Sequence, residues 1–583
     1  MSTSNYNKFP EICIHRNEGQ AWQGYERIAR ELAEAASRSD KKKRILTVEC
    51  YPSVRETEIA AGLSAHLRPS VVLFAKDAVI DSGLFEEKVG KYLTDDRVFG
   101  YMYPHRLEDF YDAGKIERLR RSIEEAADGV VVIIGFGASL VAEPDLLVYA
   151  DLARWEIQQR YRSKEFGNWM TDNREEDILK KYKRGFFFEW RMADRLKRGL
   201  FERIDYYLDT HIQDAPNMIT GAALLEGLDQ VARRPFRLVP YFDPGVWGGT
   251  WMEKVCDLPQ SDKNYAWSFD GVPEENSLYL TYGGVRIETP AVNAIFYRPK
   301  ELLGEYVYAR FGAEFPIRFD FLDTMEGGNL SLQVHPMSEY IREHFGMSYT
   351  QDESYYFLDA VPDAIVYLGV KDGVDPEEMF EQLERAEKGE ISFPSERFVQ
   401  TYPVKKHDHV LIPSGTVHCS TTGSMVLEIS ATPYIFTFKL WDWDRVGLDG
   451  KPRPVHLRHG KANVQWDRSE EWVRKNLLNR VEKIAEGDGW VEERTGLHEF
   501  EFIETRRHWF DSPVQHDTQG KVNMLNLIEG REAIVESPAG AFEPFVVHYA
   551  ETFIIPASVG PYTIRPYGES EGRRIATIKA FIK

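Results

Sequence analysis

Four side chains of metal-binding type lie in three short segments of the C-terminal half of the sequence. Gln333 and His335 are separated by one residue, Glu353 follows, and His418 comes after a Pro-x-Gly turn. Two imidazoles, a carboxylate and an amide oxygen suit zinc, tolerate manganese, iron or cobalt, and leave coordination open to water or a substrate. The alternative is that each histidine is an ordinary core or surface residue. It is the ordered set, more than any single member, that favours a metal site.

The segments that carry these residues have the patterns of β-strands. Because side chains alternate between the two faces of a strand, Gln333 and His335 point to the same side. Glu353 opens a run of aromatic residues that is typical of another strand, and His418 leads from its turn into a further β-rich segment. The sequence therefore predicts that the four side chains converge on one wall of a β-barrel.

Three motifs occur in a fixed order: Gln-x-His-Pro at Gln333, Glu-x-x-Tyr at Glu353, and Pro-x-Gly-x-x-His ending at His418. With the flanking segments 241–249 and 441–445, they resemble the type I phosphomannose isomerases of the cupin superfamily, over roughly the C-terminal three-fifths of the chain. The resemblance implies a metal-dependent aldose-ketose isomerase of mannose-6-phosphate isomerase type. It also implies that these motifs hold one divalent ion, zinc in the first instance.

Two positions depart from the family pattern. The family usually has a lysine in the strand before Gln-x-His-Pro, whereas this chain has Asp320. Strand alternation places Arg318 on the same face as Asp320, towards the predicted ligands. The family's Tyr-Arg pair is replaced by a pair ending in Lys439, which keeps the positive charge but lacks the bidentate fork of arginine.

Aldose-ketose isomerisation needs an acid/base group and a cation or metal that stabilises the developing oxyanion. We expect Asp320 or a metal-held water to transfer the proton, and Lys439 with the metal to stabilise the oxyanion. A carboxylate at this place disfavours a dianionic phosphate nearby, so Arg318, Arg445 or Arg453 is expected to hold a phosphate further out. The alternative is that Asp320 and Arg318 form a structural pair with each other.

Other candidates in this region are aromatic or histidine side chains. Trp267 lies in a segment that resembles a substrate-facing wall of the family, although a packed core aromatic explains it equally well. His407 and His409 are separated by one residue, but the resemblance places them at an outer turn. We therefore predict Trp267 as a substrate contact and leave both histidines out of the metal site.

The composition excludes several classes of protein. The chain has 583 residues, enough for about two to four domains, and a formal net charge of -21, which argues against a nucleic-acid surface. Its four cysteines have no metal or redox spacing, so a reducing compartment is expected. The longest apolar run is too short to span a bilayer, and the start has no signal pattern. We expect a cytoplasmic protein whose partner is a small sugar, with a homo-oligomer left open.

The N-terminal third alternates predicted helices and strands. Helix-like periodicity from Ala21 to Ala36 precedes an apolar run, 45–48, and helical and apolar segments then alternate as far as Arg233. This order predicts a doubly wound α/β domain. It loosely resembles the P-loop kinases, especially the uridine-kinase-like members.

The segment in the place of the phosphate loop departs from the P-loop pattern. Where that pattern has glycines, the chain has Cys50 and Arg55, and where it has lysine, the chain has Glu56. A glutamate repels phosphate, and the missing glycines cannot form a nest of backbone amides. We predict a non-catalytic kinase-like domain. Nucleotide phosphorylation by another set of residues is the disfavoured alternative.

The last segment reads as a helix, Trp472 to Ile484, followed by short strands separated by Gly and Pro turns. Its histidines, among them His508 and His516, show no ligand spacing, so this part is predicted to be metal-free and structural. The predicted fold is thus multidomain: a doubly wound kinase-like domain at 1–233, a metal-binding cupin-like barrel with helical insertions at 234–460, and a helical bridge with a second cupin-like barrel at 461–583.

Two functions remain open at this point. The first is a metal-dependent isomerase of a sugar or sugar phosphate, with a defunct kinase-like domain in front. The second is a non-catalytic sugar-sensing or scaffolding protein that keeps the metal site but has lost catalysis through the changes at Asp320 and Lys439. A bifunctional kinase and isomerase is disfavoured by Arg55 and Glu56.

Overall fold

The computed structural model describes residues 4–16, 20–260, 264–433, 435–448, 450, 453–496 and 498–583. The chain divides into two compact units, which we call the α/β unit (Glu11–Val231 with Ser277–Arg298) and the β unit (Met1–Pro10, Ala232–Asn276 and Pro299–Lys583). In the described ranges no helix is both long and apolar enough to cross a membrane. All four cysteines are free thiols.

The strands of the described chain are as follows: β1 Glu11–Cys13, β2 Ala21–Gln23, β3 Lys43–Cys50, β4 Val71–Phe74, β5 Gly129–Gly135, β6 Leu146–Asp151, β7 Tyr206–Asp209, β8 Asn217–Thr220, β9 Tyr241–Asp243, β10 Trp267–Gly271, β11 Ser277–Tyr282, β12 Val285–Pro290, β13 Ile317–Asp323, β14 Leu332–Val334, β15 Glu353–Ala360, β16 Ile365–Val370, β17 Val399–Pro403, β18 His409–Ile412, β19 His418–Ser420, β20 Ser424–Ala431, β21 Phe438–Trp441, β22 Glu482–Gly487, β23 Trp490–Gly496, β24 Ile503–Phe510, β25 Val514–Asp517, β26 Asn523–Glu529, β27 Glu532–Glu536, β28 Phe545–His548, β29 Thr552–Ile555, β30 Pro561–Pro566 and β31 Ile575–Ile582.

The α-helices are as follows: α1 Tyr25–Ser37, α2 Glu56–Leu67, α3 Ser82–Leu93, α4 Ala113–Glu125, α5 Arg154–Arg162, α6 Ile178–Arg184, α7 Trp190–Leu200, α8 Gly221–Val231, α9 Trp251–Val255, α10 Val292–Tyr297, α11 Pro299–Leu303, α12 Glu305–Phe311, α13 Ser338–Phe345, α14 Pro376–Glu387, α15 Ser395–Phe398, α16 Leu457–Asn463 and α17 Glu470–Asn476.

The α/β unit is built on a sheet of strand order β2-β8-β7-β6-β3-β5-β4, in which β4, β5, β3, β6 and β7 run parallel. The central strands β3 and β5 are buried along most of their length, as expected where helices cover both faces of a parallel sheet. A doubly wound arrangement was predicted and this topology agrees with it. The kinase-like resemblance itself stays a prediction.

A buried polar network of the α/β unit includes residues from its late segment. The carboxylate of Asp151, at the end of β6, accepts hydrogen bonds of 2.8 Å from Lys197 Nζ and of 2.9 Å from Asn293 Nδ2. Tyr207 donates to Thr289 Oγ1 at 2.9 Å. Because Thr289 and Asn293 come from Ser277–Arg298, this segment completes the interior of the unit.

Carboxylates of the α/β unit occupy the backbone amides that follow β5. Glu49 accepts from the N–H groups of Gly137 (2.6 Å) and Ser139 (2.8 Å), and Glu56 accepts from Phe136 N–H (3.2 Å). Successive backbone N–H groups of this kind are anion sites in other proteins. Here the side chains of the unit itself fill the anion positions, and burial raises the pKa of Glu49 to about 7.

The β unit contains two regions, each made of facing sheets. The first β-domain, β9–β10 and β13–β21, has sheets of order β18-β15-β20-β13-β10-β9 and β17-β16-β19-β14-β21. The second β-domain, β22–β31, has sheets of order β29-β26-β31-β24-β23-β22 and β28-β27-β30-β25. Apolar side chains from both sheets of the second β-domain, such as Phe553 and Val535, form one core cluster.

Some predicted boundaries are wrong. The helix expected from Ala21 begins at Tyr25, because Ala21–Gln23 pairs as an edge strand with β8. The helix expected to reach Ile484 ends at Asn476, and Ile484 lies in β22. In the first case a long-range strand pairing overrides the local pattern, and in the second the chain forms a local hairpin of β22 and β23. Asp375 and Pro376 open the helix α14, and the Asp375 carboxylate caps it by accepting from Glu377 N–H.

Candidate metal centre

The predicted ligands come together between the two sheets of the first β-domain. Gln333, in β14, lies directly opposite His418, in β19, so both side chains leave the same face of one sheet. Glu353, the first residue of β15, comes from the facing sheet. Ligand atoms of His335, Glu353 and His418 all lie within 4.8 Å of one another. The four side chains are 8% exposed or less.

The two imidazoles have the same orientation. His335 Nδ1 lies 3.1 Å from Phe436 O, and His418 Nδ1 lies 2.9 Å from Thr416 O. A carbonyl oxygen only accepts, so each Nδ1 carries the proton and donates it. In the neutral rings the lone pair is therefore on Nε2, and both lone pairs point towards Glu353 Oε1, at 3.2 Å from His335 and 2.6 Å from His418.

This arrangement places three electron-rich atoms against one another. His335 Nε2 and Glu353 Oε1 are buried and have no hydrogen-bond partner. A buried carboxylate that faces two imidazole lone pairs lacks a cation, and a divalent ion satisfies all three atoms at once. The residues present thus fit a metal.

The fourth predicted ligand, Gln333, lies at the edge of the group. Its Nε2 is 3.1 Å from His418 Nε2, while its Oε1 accepts from Ser331 Oγ at 2.8 Å. Rotation of the amide by 180° exchanges the two atoms and turns the oxygen towards the histidines. Gln333 is therefore within reach of the group but is held by a second hydrogen bond.

The turn before His418 is fixed from several sides. Gly415 has a φ of +85°, and a Cβ there would lie 2.6 Å from Gln465 Cγ, so glycine is required. Ser414 N–H donates to the Asp352 carboxylate at 2.8 Å, next to Glu353 in the sequence. Arg468 donates to the carbonyl oxygens of Pro413 and Ser414 at 2.8 and 2.6 Å. These contacts position His418 and Glu353 together.

Arg318 and Asp320 form the ion pair that the sequence left open. Arg318 Nε and Nη2 donate to the two carboxylate oxygens of Asp320 at 3.2 and 2.9 Å, and Asp320 is fully buried. Nη2 also lies 2.9 Å from Glu428 Oε1. The guanidinium predicted to bind substrate thus binds two carboxylates here, and the proposed proton-transfer group is held at both oxygens.

Glu428 is a buried carboxylate that the sequence analysis missed. In the register of the sheet it lies opposite Asp320 on one side and Tyr355 on the other. Burial raises the pKa of Glu428 well above its usual range, against the opposite effect of Arg318. The signal was a lone charge in the otherwise apolar and hydroxyl run of β20, which is buried throughout. The hydroxyl of Tyr355 is also buried without a hydrogen-bond partner, and its ring lies against His418.

The remaining predicted residues differ in their placement. Lys439, in β21, lies opposite Gln333 and so shares the face that carries the cluster. Arg445 and Arg453 both pair with Asp442, with N–O distances of 2.5 Å, in the region after β21. Trp267, in β10, packs edge-on against Trp247 at a ring-centroid distance of 4.6 Å. Lys439 therefore lies beside Gln333 on the sheet, and Trp267 has an aromatic partner.

Comparison with known proteins separates the two parts of the chain. Residues 24–233 match a family model described only as a domain of unknown function, DUF8485. A mannose-6-phosphate isomerase of Bacillus subtilis is 28% identical over 225 residues, which cover 38% of this chain and 66% of that protein. A mannose-6-phosphate isomerase of Streptococcus mutans is 26% identical over 214 residues, which cover 36% of this chain and 62% of that protein. The match spans just under two-thirds of these relatives.

Solved structures show the same kind of similarity. The crystal structure of mannose 6-phosphate isomerase from Bacillus subtilis has 18% sequence identity and a TM-score of 0.49, covering 60% of this chain and all of that one. A phosphomannose isomerase variant from Salmonella typhimurium has 15% identity and a TM-score of 0.46, with the same coverage. The similarity to mannose-6-phosphate isomerases over part of this chain is that of the sequence relatives above.

Proposed function

We propose that the chain is a metal-dependent aldose-ketose isomerase of mannose-6-phosphate isomerase type that acts on a sugar or sugar phosphate. The observation that carries the proposal is the buried Glu353 carboxylate facing the Nε2 lone pairs of His335 and His418. The similarity to curated mannose-6-phosphate isomerases supports the reaction class.

His335, Glu353, His418 and, after rotation of its amide, Gln333 are the residues that would hold the ion. Two imidazoles with a carboxylate favour zinc, and other divalent first-row metals fit the same donors. When bound, the ion supplies a Lewis acid that stabilises an oxyanion. The four side chains are almost completely buried, and the low dielectric of such an environment strengthens the electrostatic interactions between them.

The proton transfer is assigned to groups beside the cluster. Isomerisation removes a proton from the carbon next to the carbonyl and returns it to the neighbouring carbon, with the electron pair held on oxygen as an enediolate. Asp320 is the proposed base, since each of its carboxylate oxygens accepts one bond from Arg318 and keeps a second lone pair for a proton. Lys439 is proposed to donate to the developing oxyanion from the face that it shares with Gln333.

Two residues are proposed to bind the rest of the substrate. Trp267, supported by Trp247, offers an aromatic wall against which a sugar ring can pack. Arg445 is proposed to contact a phosphate further from the metal, in exchange for its present bond to Asp442. A guanidinium fits the oxygens of a phosphate bidentately.

One observation favours a second candidate, a non-catalytic metal-dependent sugar-binding protein. Arg318 engages both Asp320 and Glu428, so the carboxylates beside the cluster are committed to ion pairs. A group held in this way binds and positions a sugar without serving as a base. The two candidates make the same prediction for the metal and opposite predictions for turnover.

The test combines metal analysis of the purified chain with an NMR assay of mannose, mannose 6-phosphate and fructose 6-phosphate. The isomerase proposal expects about one divalent ion per chain and interconversion of an aldose with its ketose. Chelation is expected to abolish turnover, and added zinc to restore it. Bound metal without interconversion of any of these sugars would favour the binding protein, and absence of metal from a folded chain would refute both.

A further inference from the structure

The two β-domains share one strand plan. In the first, the larger sheet runs β18-β15-β20-β13-β10-β9, and in the second it runs β29-β26-β31-β24-β23-β22. The smaller sheets run β17-β16-β19-β14 and β28-β27-β30-β25 along the same positions. Each strand of the second β-domain thus has a counterpart in the first. The position that corresponds to the candidate metal centre can therefore be identified from strand order, register and the contacts between the two sheets.

Counterparts of two ligand positions follow from the smaller sheets. Gln333 lies opposite His418 in the first β-domain, and His516 lies opposite Tyr562 in the second. The rings of His516 and Tyr562 stack at a centroid distance of 5.0 Å. The second β-domain therefore has an imidazole and a phenol where the first has an amide and an imidazole.

The carboxylate position has also changed. Glu353 is the first residue of β15 and pairs with the last residue of β18, and Asn523 is the first residue of β26 and pairs with the last residue of β29. Tyr562 donates to Asn523 Oδ1 at 2.9 Å, in the place of the contact between His418 and Glu353. A neutral amide replaces the anion, so this position lacks the charge that draws in a divalent cation.

The charged residues on the larger sheet are reversed in sign. By register, Arg318 of the first β-domain corresponds to Glu504 of the second, Asp320 to Arg506, and Glu428 to Lys579. Arg506 neutralises its neighbours, with Nε 2.6 Å from Glu504 and Nη1 3.0 Å from Glu492. Lys579 is the counterpart of the buried carboxylate and brings a positive charge to the interior.

Lys579 has no ion-pair partner among the described residues, and Glu492, Glu504 and Asp517 act on its charge only from beyond ion-pair distance. It is 7% exposed, and among the described residues no carboxylate lies within ion-pair distance of its ammonium, whose nearest polar contact is His516 Nδ1 at 3.5 Å. Burial lowers the pKa of Lys579 to about 8, so the group is still mainly protonated at neutral pH. A buried charge without a counter-ion is costly, and a bound anion removes that cost.

Three buried polar atoms beside Lys579 also have no hydrogen-bond partner: His508 Nδ1, His516 Nε2 and Thr577 Oγ1. Their side chains are 2%, 6% and 0% exposed. Because Lys579 donates to His516 Nδ1, the neutral ring carries its proton on Nε2, which is then a donor without an acceptor. Thr577 lies opposite His508 in the register and faces the same interior, and its hydroxyl is a further donor.

We propose that this end of the second β-domain is a binding site for a small oxyanion of the phosphate class. The oxyanion accepts from Lys579 Nζ, His516 Nε2 and Thr577 Oγ1. Arg506, whose side chain is 29% exposed, lies opposite Lys579 in the register of the sheet. The same β framework thus carries a proposed cation site in the first β-domain and an anion site in the second.

The test is titration of the full chain with inorganic phosphate by isothermal calorimetry, in a buffer without other oxyanions. We expect one phosphate per chain, with affinity at least tenfold weaker in Lys579→Met. Lys483→Met, which removes an exposed lysine from β22 of the same domain, is the matched control and should bind as the wild type does. Lys579→Arg, which keeps the charge, should bind within a few-fold of the wild type.

Two further arms identify the source of the anion and guard against misfolding. The first arm uses His335→Ala, which lacks one predicted metal ligand of the first β-domain, and compares its binding of mannose 6-phosphate with its binding of inorganic phosphate. Tighter binding of mannose 6-phosphate would mean that the site takes the phosphoryl group of a sugar phosphate. Phosphate should raise the thermal midpoint of the wild type but not that of Lys579→Met. Absence of phosphate binding to the wild type, or equal binding by folded Lys579→Met, overturns the proposal whether or not the chain is an isomerase.

Discussion

The first and second β-domains use one arrangement of strands for opposite electrostatics. Between the sheets of the first, Glu353, Asp320 and Glu428 surround the paired histidines, with Arg318 as counter-charge. Between the sheets of the second, Asn523 and Lys579 stand at corresponding positions. The comparison teaches that strand order fixes where interior side chains meet, while their charges decide what can be bound there.

The largest expected effect is the loss of bound metal when a predicted ligand of the first β-domain is removed, compared with no loss for the corresponding change in the second. His418→Ala removes an imidazole from the first β-domain, so we expect loss of bound metal and a fall in turnover of about a thousandfold, equivalent to about 4 kcal/mol of transition-state stabilisation. Tyr562→Phe, at the corresponding position of the second, should leave the metal content unchanged. Metal analysis of both variants checks this, and metal retained in His418→Ala would refute the assignment.

The next effect tests the carboxylates of the first β-domain. Asp320→Asn removes the proposed base but preserves its shape, so turnover should fall by about two to three orders of magnitude with metal content intact. Glu428→Gln is the comparison, since both carboxylates bind Arg318. Steady-state rates and metal content of the two variants decide the matter. An unchanged rate in Asp320→Asn would rule out Asp320 as the base. A loss of turnover in Glu428→Gln alone would assign the base role to Glu428.

A smaller effect is expected at Lys439, which lies opposite Gln333. Lys439→Met removes a cation that acts on the oxyanion, so kcat should fall by about a hundredfold with little change in metal affinity. Lys439→Arg restores the charge and should recover part of the rate. Steady-state kinetics measure both variants, and a change in KM alone would mean that Lys439 binds substrate without stabilising the transition state.

The smallest effect concerns stability and pH in the second β-domain. The pKa of Lys579 is about 8 in the folded chain and has its ordinary value of 10.5 when unfolded, so between these pH values the unfolded state binds more protons and stability rises with pH. Below pH 8 the cost of burying the charged ammonium is fully present and lowers the free energy of unfolding by about 3 kcal/mol. Lys579→Met should therefore be more stable than the wild type at pH 7 without phosphate, and the difference should shrink towards pH 10. Thermal midpoints across this range measure it, and a constant difference would contradict the buried charge.

The site residues that could be predicted from the sequence are those that belong to short motifs. Gln333 and His335 share a strand, so their common direction followed from alternation, and the ordered motifs supplied Glu353 and His418. Glu428 was missed because its neighbours Asp320 and Tyr355 come from strands distant in the sequence. Pairing between distant strands is set by the whole fold, which local patterns do not contain.

The histidines of the second β-domain show the same limit. His508 and His516 have no ligand spacing in the sequence, yet their rings lie 4.5 Å apart because β24 and β25 belong to facing sheets. The buried Lys579 was equally hidden, since a lysine in a strand pattern normally lies on a solvent-exposed face. In contrast, the helix capped by Asp375 was predictable because its determinants lie within two residues.

The segment Ser277–Arg298 has a consequence for how the chain becomes folded during synthesis. Thr289 and Asn293 complete the buried network of the α/β unit, yet they leave the ribosome after Ala232–Asn276, which belongs to the β unit. The earlier unit therefore cannot mature until part of the later one has been synthesised. A fragment cut after residue 233 would lack these partners and leave Asp151 with fewer donors, so it is expected to be less stable than the complete α/β unit.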